Sequence, residues 1–468
     1  MVSEQARRAR GTTLVESLVS QLQQEIVRGS RMPGTRLLSI RKAAAEFGLS
    51  KNTVVEAYER LVASGHIAAR PGSGFVVNSS VTVEAGSRPT HVAEAVDIAS
   101  LLSAQLDQSF EIRIGDGRPP ASWTEQSEIK RHLGAYGRML WTDEDADAYG
   151  SALGFLPLRQ QIVRRLGSQQ IQAREDNILM TFGANHALDL IIRGMLSPGE
   201  TVLVDEPGYY PLFAKLALAQ VRMVGVRRTP EGPDIEDFVA KVGTERPKLF
   251  FTQSLGHNPT GSSITLPVAH ALLTAARGAN LTIVEDDPFA DLPVAMSNRL
   301  ATLDQLNTVI SVGTFSKTLS ASLRSGFIAA RRDTIATLAE LKMLTTVNSS
   351  GHIERLLHRL LVDGHYDRHL RRLIRRVENA SQRVQVSLRQ VGCQVFSHAV
   401  GGYYLYLLLP GGIDDIGLAR DGARESIFIA PGSVFCVDKS NPLAKAIRLN
   451  VSRADDPRFY DFLLRKLS

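Results

Sequence analysis

The sequence predicts an α/β protein in which a small winged helix-turn-helix domain precedes a large domain built on a doubly wound sheet. Two observations carry this prediction. Apolar residues recur at helical spacing within residues 14–63, where serine and glycine mark the helix ends. Strand-like and helix-like patches then alternate as far as about residue 330, as a sheet with helices on both faces requires.

Length and composition indicate a globular chain of more than one domain. The 468 residues are 44% hydrophobic and 22% charged. The basic residues 1–10 lead into no apolar segment of a signal peptide, and there is no run of about 18 apolar residues that would predict a membrane span. Cys393 and Cys436 show no metal-binding spacing, so we expect no metal site and a reducing, cytoplasmic environment.

Positive charge is concentrated at the amino end. Residues 1–78 hold eleven Lys and Arg against six Asp and Glu, which gives +5 of the chain's net charge of +6. A basic small domain joined to a nearly neutral large one favours a polyanion as the partner of the small domain.

Three helices are predicted inside this basic segment. Leucine and isoleucine at helical spacing predict the first over 14–26, and Ser39 and Ser50 are placed to cap the next two, over 40–47 and 51–63. Two short helices joined by a tight glycine turn form a helix-turn-helix, whose second helix enters the major groove of DNA.

The same segment resembles the GntR-type winged-helix domain. The resemblance is carried by Met32-Pro33-Gly34, Ser39-Ile40-Arg41, Ser50 to Val54, Tyr58 and Gly72-Ser73-Gly74, the last in a predicted two-stranded wing over 66–77. It implies DNA contacts, with Asn52 and Thr53 as base readers and Lys51 and Arg70 as phosphate contacts. The residues expected to face DNA are Arg41, Lys51, Asn52, Thr53, Arg70 and Gly72.

Residues 79–96 lack apolar periodicity and are typical of a flexible linker. The predicted boundaries are therefore 1–78 for the winged-helix domain, 79–96 for the linker and 97–468 for the large domain.

The large domain is organised around the segment from Val309 to Leu319. It begins as a buried-strand pattern, turns into hydroxyl residues and delivers Lys317 among them, with Arg324 seven residues further on. A lysine among hydroxyl and glycine residues, with no acidic neighbour in sequence, is suited to forming a Schiff base. Thr314 and Arg324 would then hold a phosphate.

Four upstream segments place further polar residues beside strand-like patterns, where open α/β sheets have their sites. They are Thr181 to Leu188, Asp205 to Tyr209, Gly256 to Gly261 and Glu285 to Phe289. In this order and spacing they resemble the fold-type I aminotransferases, which use pyridoxal 5′-phosphate (PLP). The resemblance covers roughly 97–468 and implies a smaller carboxyl-terminal α+β subdomain.

By this resemblance each matching residue has a role. Lys317 would carry the Schiff base and move the proton at the substrate α-carbon, and Asp286 would keep the pyridine nitrogen protonated. Asn258 would donate to the ring 3′-oxygen and Tyr209 would stack on the ring. The anion-binding residues would be Ala184 and Asn185 at a helix start with Thr314 and Arg324 for the phosphate, Tyr149 for the phosphate of a neighbouring subunit, and Arg448 for an effector carboxylate.

Two positions depart from the family pattern. Phe289 stands where many relatives have a tyrosine whose hydroxyl also bonds the ring 3′-oxygen, so we expect a Schiff base of higher pKa than in those relatives. Ala184 stands where a serine hydroxyl often helps bind phosphate, so we expect weaker cofactor retention.

A helix in the carboxyl third shows an unusual charge pattern. Leu370, Leu373, Ile374 and Val377 supply one face, and five arginines share the opposite one. The arginines are Arg368, Arg371, Arg372, Arg375 and Arg376. They form either a solvated surface or a second surface for a bent DNA operator.

A GntR-like winged helix joined to an aminotransferase-like domain resembles the MocR-type regulators. That resemblance implies a head-to-tail homodimer that binds double-stranded DNA and senses a small amine or amino acid through exchange at Lys317. Two alternatives remain open. In the first, the chain is an active aminotransferase that carries a DNA-binding domain, with turnover expected to be weak or vestigial. In the second, it is a regulator that senses PLP itself.

Overall fold

The computed structural model describes two compact units, Met1–Thr90 and His91–Ser468. The described residues are 14–27, 34–63, 66–70, 74–78, 89, 91–92, 94–96, 98, 110–124, 129, 131–135, 148–289, 291–292, 299–398, 401–411 and 413–467. Most of the predicted linker, 79–96, lies outside them, and its boundaries stay a prediction.

The first unit contains the predicted three helices and a hairpin. Its elements are α1 (Leu14–Val27), α2 (Ile40–Glu46), α3 (Lys51–Ala63), β1 (Ile67–Arg70) and β2 (Gly74–Val77), with β1 and β2 antiparallel. Both predicted caps are present. The Ser39 hydroxyl accepts from the Lys42 amide at 3.4 Å, and the Ser50 hydroxyl accepts from the Thr53 amide at 3.1 Å.

A small apolar core holds these elements together. It contains Leu18, Leu22, Ala43, Val54, Ala57, Tyr58, Leu61, Ile67 and Val77. The Tyr58 ring meets Phe75 edge-on at 4.9 Å, and its hydroxyl donates to the Leu38 carbonyl at 3.0 Å, so one residue joins α3 to β2 and to the chain before α2. Val55, which follows the buried Val54 in α3, is only partly buried.

The second unit is built on an eight-stranded sheet of order β3-β10-β9-β8-β7-β4-β5-β6. The strands are β3 (Ile178–Thr181), β4 (Thr201–Glu206), β5 (Arg222–Thr229), β6 (Gly232–Pro233), β7 (Leu249–Thr252), β8 (Thr282–Asp287), β9 (Val309–Thr314) and β10 (Gly326–Ala329). Neighbours from β9 to β5 are parallel, while β10 runs antiparallel to both β3 and β9.

Helices alternate with these strands, as the doubly wound pattern predicts. They are α4 (Leu156–Ser168), α5 (Ala184–Met195), α6 (Tyr210–Leu218), α7 (Ile235–Glu245), α8 (Leu266–Gly278), α9 (Leu300–Asp304) and α10 (Arg332–Thr346). Because β3, β4, β7, β8 and β9 point the same way, their carboxyl ends meet at one edge of the sheet. Two buried apolar clusters flank the sheet.

A smaller α+β portion follows, as the resemblance implies. Its helices are α11 (Gly351–Val362), α12 (His365–Gln390), α13 (Asp415–Arg424) and α14 (Pro457–Leu467). Its sheet has the order β11-β12-β14-β13, formed by β11 (Gln394–Val395), β12 (Tyr404–Leu408), β13 (Ala430–Pro431) and β14 (Ala446–Asn450). Among the described residues, no helix combines the length and apolar character that a membrane crossing requires.

A segment near the start of this unit, residues 112–119, packs against the smaller sheet. The Gly115 amide donates to the Phe428 carbonyl at 2.9 Å, and the Asn450 amide donates to the Ile114 carbonyl at 2.7 Å. A Cβ at Gly115 would collide with the backbone of Ala430, so glycine is required for this close approach. We call residues 112–119 the arm.

Candidate functional site

Lys317 lies three residues beyond the end of β9, at the edge where the parallel strands end. Its Nζ donates to the carbonyl oxygen of Gly117 in the arm at 2.5 Å. Burial, with help from the charge of Arg448, lowers the pKa of Lys317 to about 8. The neutral amine, the form that a nucleophilic lysine requires, is therefore more populated near neutral pH than in an ordinary lysine.

Asp286 is buried and is the last residue but one of β8, and its two carboxylate oxygens differ in their hydrogen bonding. Its Oδ2 accepts from Gln253 Nε2 at 2.7 Å, whereas its Oδ1 is buried and accepts no hydrogen bond from any described residue. Burial, reinforced by the charge of Asp287, raises the pKa of Asp286 to about 7. An acceptor left without a donor in a buried site fits the N–H of a protonated pyridine ring.

Gln253 is a site residue that the sequence reasoning missed. It follows β7 directly, and its Oε1 accepts from the Asn258 amide at 2.7 Å while its Nε2 reaches Asp286. Because both ends of the amide are engaged, its orientation is fixed and its donor end faces the carboxylate. Its position after a strand, five residues before the Asn-Pro pair, is the signal that could have found it.

Arg448 and Asn258 are brought together from β14 and from the loop after β7. Arg448 Nη1 donates to Asn258 Oδ1 at 2.9 Å, and Arg448 Nη2 donates to the Gly115 carbonyl at 2.7 Å. The guanidinium also lies 5.2 Å from the ring centre of Tyr404 and 4.9 Å from that of Phe435. Its buried Nε has no partner among the described residues.

The predicted phosphate cup is assembled from three places in the chain. Gly183 precedes α5 with φ +86°, which leaves the amides of Ala184 and Asn185 at the helix start. Arg324 Nη2 donates to the Phe182 carbonyl at 2.9 Å, and a Cβ at Gly183 would lie 3.2 Å from that nitrogen. The Ser316 amide donates to Thr314 Oγ1 at 3.2 Å. Together with the unpaired Asp286 oxygen, this cup fits PLP.

Tyr209 caps the start of α6 and is partly buried. It lines a cavity of about 20 Å³ together with Gln253 and Asp286. Burial, together with the nearby charge of Asp286, raises the pKa of the Tyr209 hydroxyl far above its ordinary value, so the phenol stays neutral beside the carboxylate. Tyr149, in contrast, is 88% exposed.

A buried ion pair behind Gln253 was also missed by the sequence reasoning. Asp205 Oδ2 accepts from Arg228 Nη1 at 2.8 Å, from Thr252 Oγ1 at 2.9 Å and from the Gln253 amide at 3.1 Å. Burial alone would raise the pKa of Asp205, but Arg228 and His257 hold it below its ordinary value. The sequence showed Asp205 in a strand-end motif, yet nothing local indicated its partner in β5.

Phe289 occupies a fully buried position between two rings. Its centroid lies 5.6 Å from that of Tyr403 and 5.7 Å from that of Tyr404. The hydroxyl of Tyr404 donates to the Gly117 carbonyl at 2.9 Å, the same oxygen that Lys317 uses. Tyr404 therefore does not supply the hydroxyl that Phe289 lacks, because the Tyr404 hydroxyl donates to the arm.

Comparison with protein-family models assigns both units. Residues 129–460 match the family described as aminotransferase class I and II, and residues 14–77 match the bacterial regulatory proteins of the gntR family. The chain belongs to the aminotransferase class I and II family. The gntR-family module ahead of it gives the MocR-type arrangement that the sequence predicts.

Individual relatives of this MocR-type chain include regulators and an enzyme. It is 29% identical over 431 residues to the uncharacterized HTH-type transcriptional regulator YdcR of Escherichia coli, covering 90% of this chain and 91% of that one. It is 30% identical over 301 residues to 2-aminoadipate transaminase of Thermus thermophilus, covering 62% of this chain and 74% of the enzyme.

Among solved structures, one similar to this MocR-type chain is LysN, the α-aminoadipate aminotransferase of Thermus thermophilus complexed with N-(5′-phosphopyridoxyl)-L-leucine. The TM-score is 0.72 at 25% identity, and the match covers 82% of this chain and 98% of LysN. The aminotransferase fold type I predicted from the sequence is therefore confirmed.

The predicted DNA-contacting residues of the gntR-family module differ in what the structure shows of them. Arg41, Lys51 and Asn52 are exposed. The Thr53 hydroxyl lies 2.8 Å from the Ser50 hydroxyl in the cap of α3, and its role as a base reader stays a prediction. Arg70 ends β1; its side chain and the whole of Gly72 lie outside the described residues.

The arginine-bearing helix is α12, with the two faces that the sequence predicts. Leu370, Leu373 and Val377 are buried in the aminotransferase-like unit and Ile374 is partly buried. All five arginines are exposed: Arg368, Arg371, Arg372, Arg375 and Arg376.

Proposed function

We propose that the protein is a PLP-dependent transcription regulator whose large unit senses a carboxylate-bearing amine at Lys317. The observation that carries this proposal is that one chain joins a gntR-family winged helix to a site with a lysine of lowered pKa and an unpaired Asp286 oxygen. PLP, when bound there, would supply an electrophilic aldehyde and an electron-accepting ring.

Each residue of the site then has a definite task. Asp286, oriented by Gln253, accepts from the ring N–H, and the α5 amides with Thr314 and Arg324 hold the phosphate. Lys317 would bind the cofactor through its amine, and the amine of the effector would take its place there. Arg448, oriented by Asn258, binds the effector carboxylate and offers its unpaired Nε as a donor.

The arm is the part of this site that lies nearest to the linker in sequence. Both Lys317 and Arg448 donate to arm carbonyls, those of Gly117 and Gly115. An effector whose amine occupies the exchange site and whose carboxylate binds Arg448 competes with these two hydrogen bonds. The effector would then bind more tightly to the state in which the arm is released than to the state in which these two hydrogen bonds are intact, and operator binding would respond to this difference.

A head-to-tail homodimer fits the proposal. Tyr149 is 88% exposed in the single chain, although large aromatic side chains are usually at least partly covered. In the dimer its hydroxyl would reach the neighbouring subunit's phosphate. The two winged helices would then read an operator with two half-sites.

The test combines two measurements on the purified, PLP-loaded protein. Amines and amino acids are titrated while the visible absorbance band is followed, and any compound that shifts the band is carried into operator-binding assays. We expect one compound to shift the band persistently and to change operator affinity. A compound that shifts the band in the wild type but leaves operator affinity unchanged would contradict the sensing role.

An aminotransferase that happens to carry a DNA-binding domain is the second candidate. It is favoured by the near-complete set of site residues and by the 30% identity to an enzyme named 2-aminoadipate transaminase. In that case a 2-oxo acid would restore the visible band through many cycles. A regulator of PLP level is distinguished differently, since PLP alone would then change operator binding.

A further inference from the structure

Lys317 lies in a single tight turn that follows β9. The amide of Leu319 donates to the Phe315 carbonyl at 2.9 Å and closes this turn. The Tyr403 hydroxyl donates to the Lys317 carbonyl at 3.4 Å, which is long for a hydrogen bond between two oxygens. The direction in which the Lys317 side chain leaves the backbone therefore depends on how the neighbouring residues of the turn are held.

Thr318, the residue after Lys317, is held at two points by the first turns of α12. His369 Nε2 donates to the Thr318 carbonyl at 2.7 Å, and the hydroxyls of Thr318 and Tyr366 lie 2.7 Å apart. Thr318, Tyr366 and His369 are all buried. A hydrogen bond in a buried site is electrostatically stronger than one in water. The backbone and the side chain of Thr318 are therefore both anchored to one helix.

The direction of the hydrogen bond between the two hydroxyls follows from Asp291. The Tyr366 hydroxyl lies 2.6 Å from Asp291 Oδ2, and an ionised carboxylate can only accept. Because a phenol carries one hydrogen, Tyr366 donates to Asp291 and accepts from Thr318. Arg165 Nη2 donates to the other oxygen of the same carboxylate at 2.7 Å. The hydrogen bonds from Thr318 to Tyr366 and on to Asp291 thus run in one direction and end on a paired charge.

The ring of Tyr366 also supports the turn that carries Lys317. It meets the ring of Phe315, two residues before Lys317, edge-on at 5.7 Å, and the guanidinium of Arg165 lies 4.7 Å from its centre. One side chain of α12 therefore contacts this turn both before and after the lysine. A phenylalanine at position 366 would keep these ring contacts and lose only the hydroxyl.

We infer that Tyr366 is a positioning residue that acts through Thr318 to hold Lys317 in the orientation from which its amine captures PLP. The inference rests on the proposed function, in which Lys317 forms the bond to the cofactor. The proposed contacts to the phosphate and to the ring nitrogen come from other residues. Loss of the Tyr366 hydroxyl should therefore slow the reaction of the amine and leave the prior binding of PLP unchanged, since a misplacement of about 1 Å can cost as much as about 100-fold in rate.

The test follows PLP capture by cofactor-free protein in stopped-flow absorbance at a series of PLP concentrations. The maximal rate reports the reaction of Lys317, and the half-saturating concentration reports the binding that precedes it. Tyr366→Phe and Thr318→Val should each lower the maximal rate about tenfold and leave the half-saturating concentration unchanged. Thr318→Ser keeps the hydroxyl and should retain the rate of the wild type. An unchanged maximal rate in both Tyr366→Phe and Thr318→Val would overturn the inference.

Two comparisons separate positioning from a general loss of stability. Tyr460→Phe removes a hydroxyl of α14 that donates to the Ala454 carbonyl at 2.6 Å, and it should leave both the maximal rate and the half-saturating concentration unchanged. The double variant of Tyr366→Phe and Thr318→Val should be no slower than either single variant, because both changes remove the same hydrogen bond. Fully additive losses would show that the two residues act separately and would refute the inference. A wild-type protein that forms no Schiff base would contradict the proposed function itself, and the inference with it.

Discussion

The side-chain amide of Gln253 donates from Nε2 to Asp286 Oδ2 at 2.7 Å. The carboxylate that would hold the cofactor ring is thereby kept in place by an uncharged donor. This donor also opposes the effect of burial, which raises the pKa of Asp286 to about 7.

Gln253→Leu should weaken PLP retention. A hydrogen bond to a charged group is worth about 1.5–3 kcal/mol, so its loss should raise the dissociation constant of PLP by about one to two orders of magnitude. Equilibrium dialysis followed by absorbance measures this constant. The matched control is Gln385→Leu, which replaces a buried glutamine of α12 whose side chain donates to Ser381 of the same helix. Equal weakening in both variants would show a general stability effect and contradict the positioning role.

Phe289→Tyr should lower the pH midpoint of the visible spectrum. The added hydroxyl would donate to the ring 3′-oxygen and favour the deprotonated Schiff base. A spectrophotometric pH titration of the loaded protein measures the midpoint. Phe238→Tyr adds the same hydroxyl to another fully buried ring, which packs on Phe250 at 5.0 Å, and should leave the midpoint unchanged. An unmoved midpoint in Phe289→Tyr would refute the proposed effect of this departure.

The rate of PLP capture by cofactor-free protein should depend on pH through Lys317. The pKa of Lys317 is lowered to about 8. The fraction of Lys317 in the neutral form therefore falls about tenfold for each pH unit below that value, and nearly all of it is neutral well above that value. Stopped-flow absorbance should therefore show a rate that rises up to about pH 8 and then levels. A rate still rising toward pH 10 would indicate an unperturbed lysine.

Arg448→Gln should raise the pH at which the rate of PLP capture is half of its maximum. The charge of Arg448 is the second cause of the lowered pKa of Lys317, after burial. Removing this charge stabilises the ammonium form of Lys317 and so raises its pKa. The same stopped-flow series, run on this variant across the same pH range, gives the new midpoint. An unmoved or lowered midpoint would mean that the charge of Arg448 does not contribute to the lowered pKa of Lys317.

Replacing Arg371, Arg372 and Arg375 by glutamine tests the exposed face of α12 as a second DNA-contacting surface. Each neutralised phosphate contributes about 0.9 to the slope of log affinity against log salt, so the slope should fall by as much as about 3. Operator binding measured at several salt concentrations gives this slope. The control removes the same charge from another exposed surface, through Arg420→Gln, Arg424→Gln and Arg465→Gln. An unchanged slope in the α12 variant would leave these arginines as a solvated face.

Asn52→Ala should lower operator affinity by about 1–3 kcal/mol while leaving binding to unrelated DNA unchanged, because an exposed amide at the start of α3 can read a base edge. Lys51→Gln is the matched contrast, since a phosphate contact should weaken both DNAs alike. Competition assays with operator and unrelated duplex separate the two effects. A uniform loss in Asn52→Ala would reassign it to the phosphate backbone.

Much of this molecule could be predicted from sequence because its signals are local. Ser39 and Ser50 cap the helices that they precede, and Asp286 and Lys317 stand at strand ends where parallel sheets gather their sites. Gln253 could not be assigned in this way, because its role depends on two partners that only the folded sheet brings within reach.

The buried pair of Asp205 and Arg228 illustrates the same limit. Each residue looks ordinary in its own strand, and only the parallel pairing of β4 with β5 brings them together. The Thr53 hydroxyl lies 2.8 Å from the Ser50 hydroxyl in the cap of α3, and its contact with a base stays a prediction from the sequence.

The position of β10 in the large sheet has a consequence for biosynthesis. At the edge of that sheet β3 is bonded only to β10, and Arg324, just ahead of β10, meets Gly183, just after β3. A ribosome must therefore release some 140 further residues before β3 finds its neighbour, a loop closure that favours slow, late assembly. We therefore expect the proposed phosphate-binding residues around Gly183 and Arg324 to come together late in the synthesis of each chain.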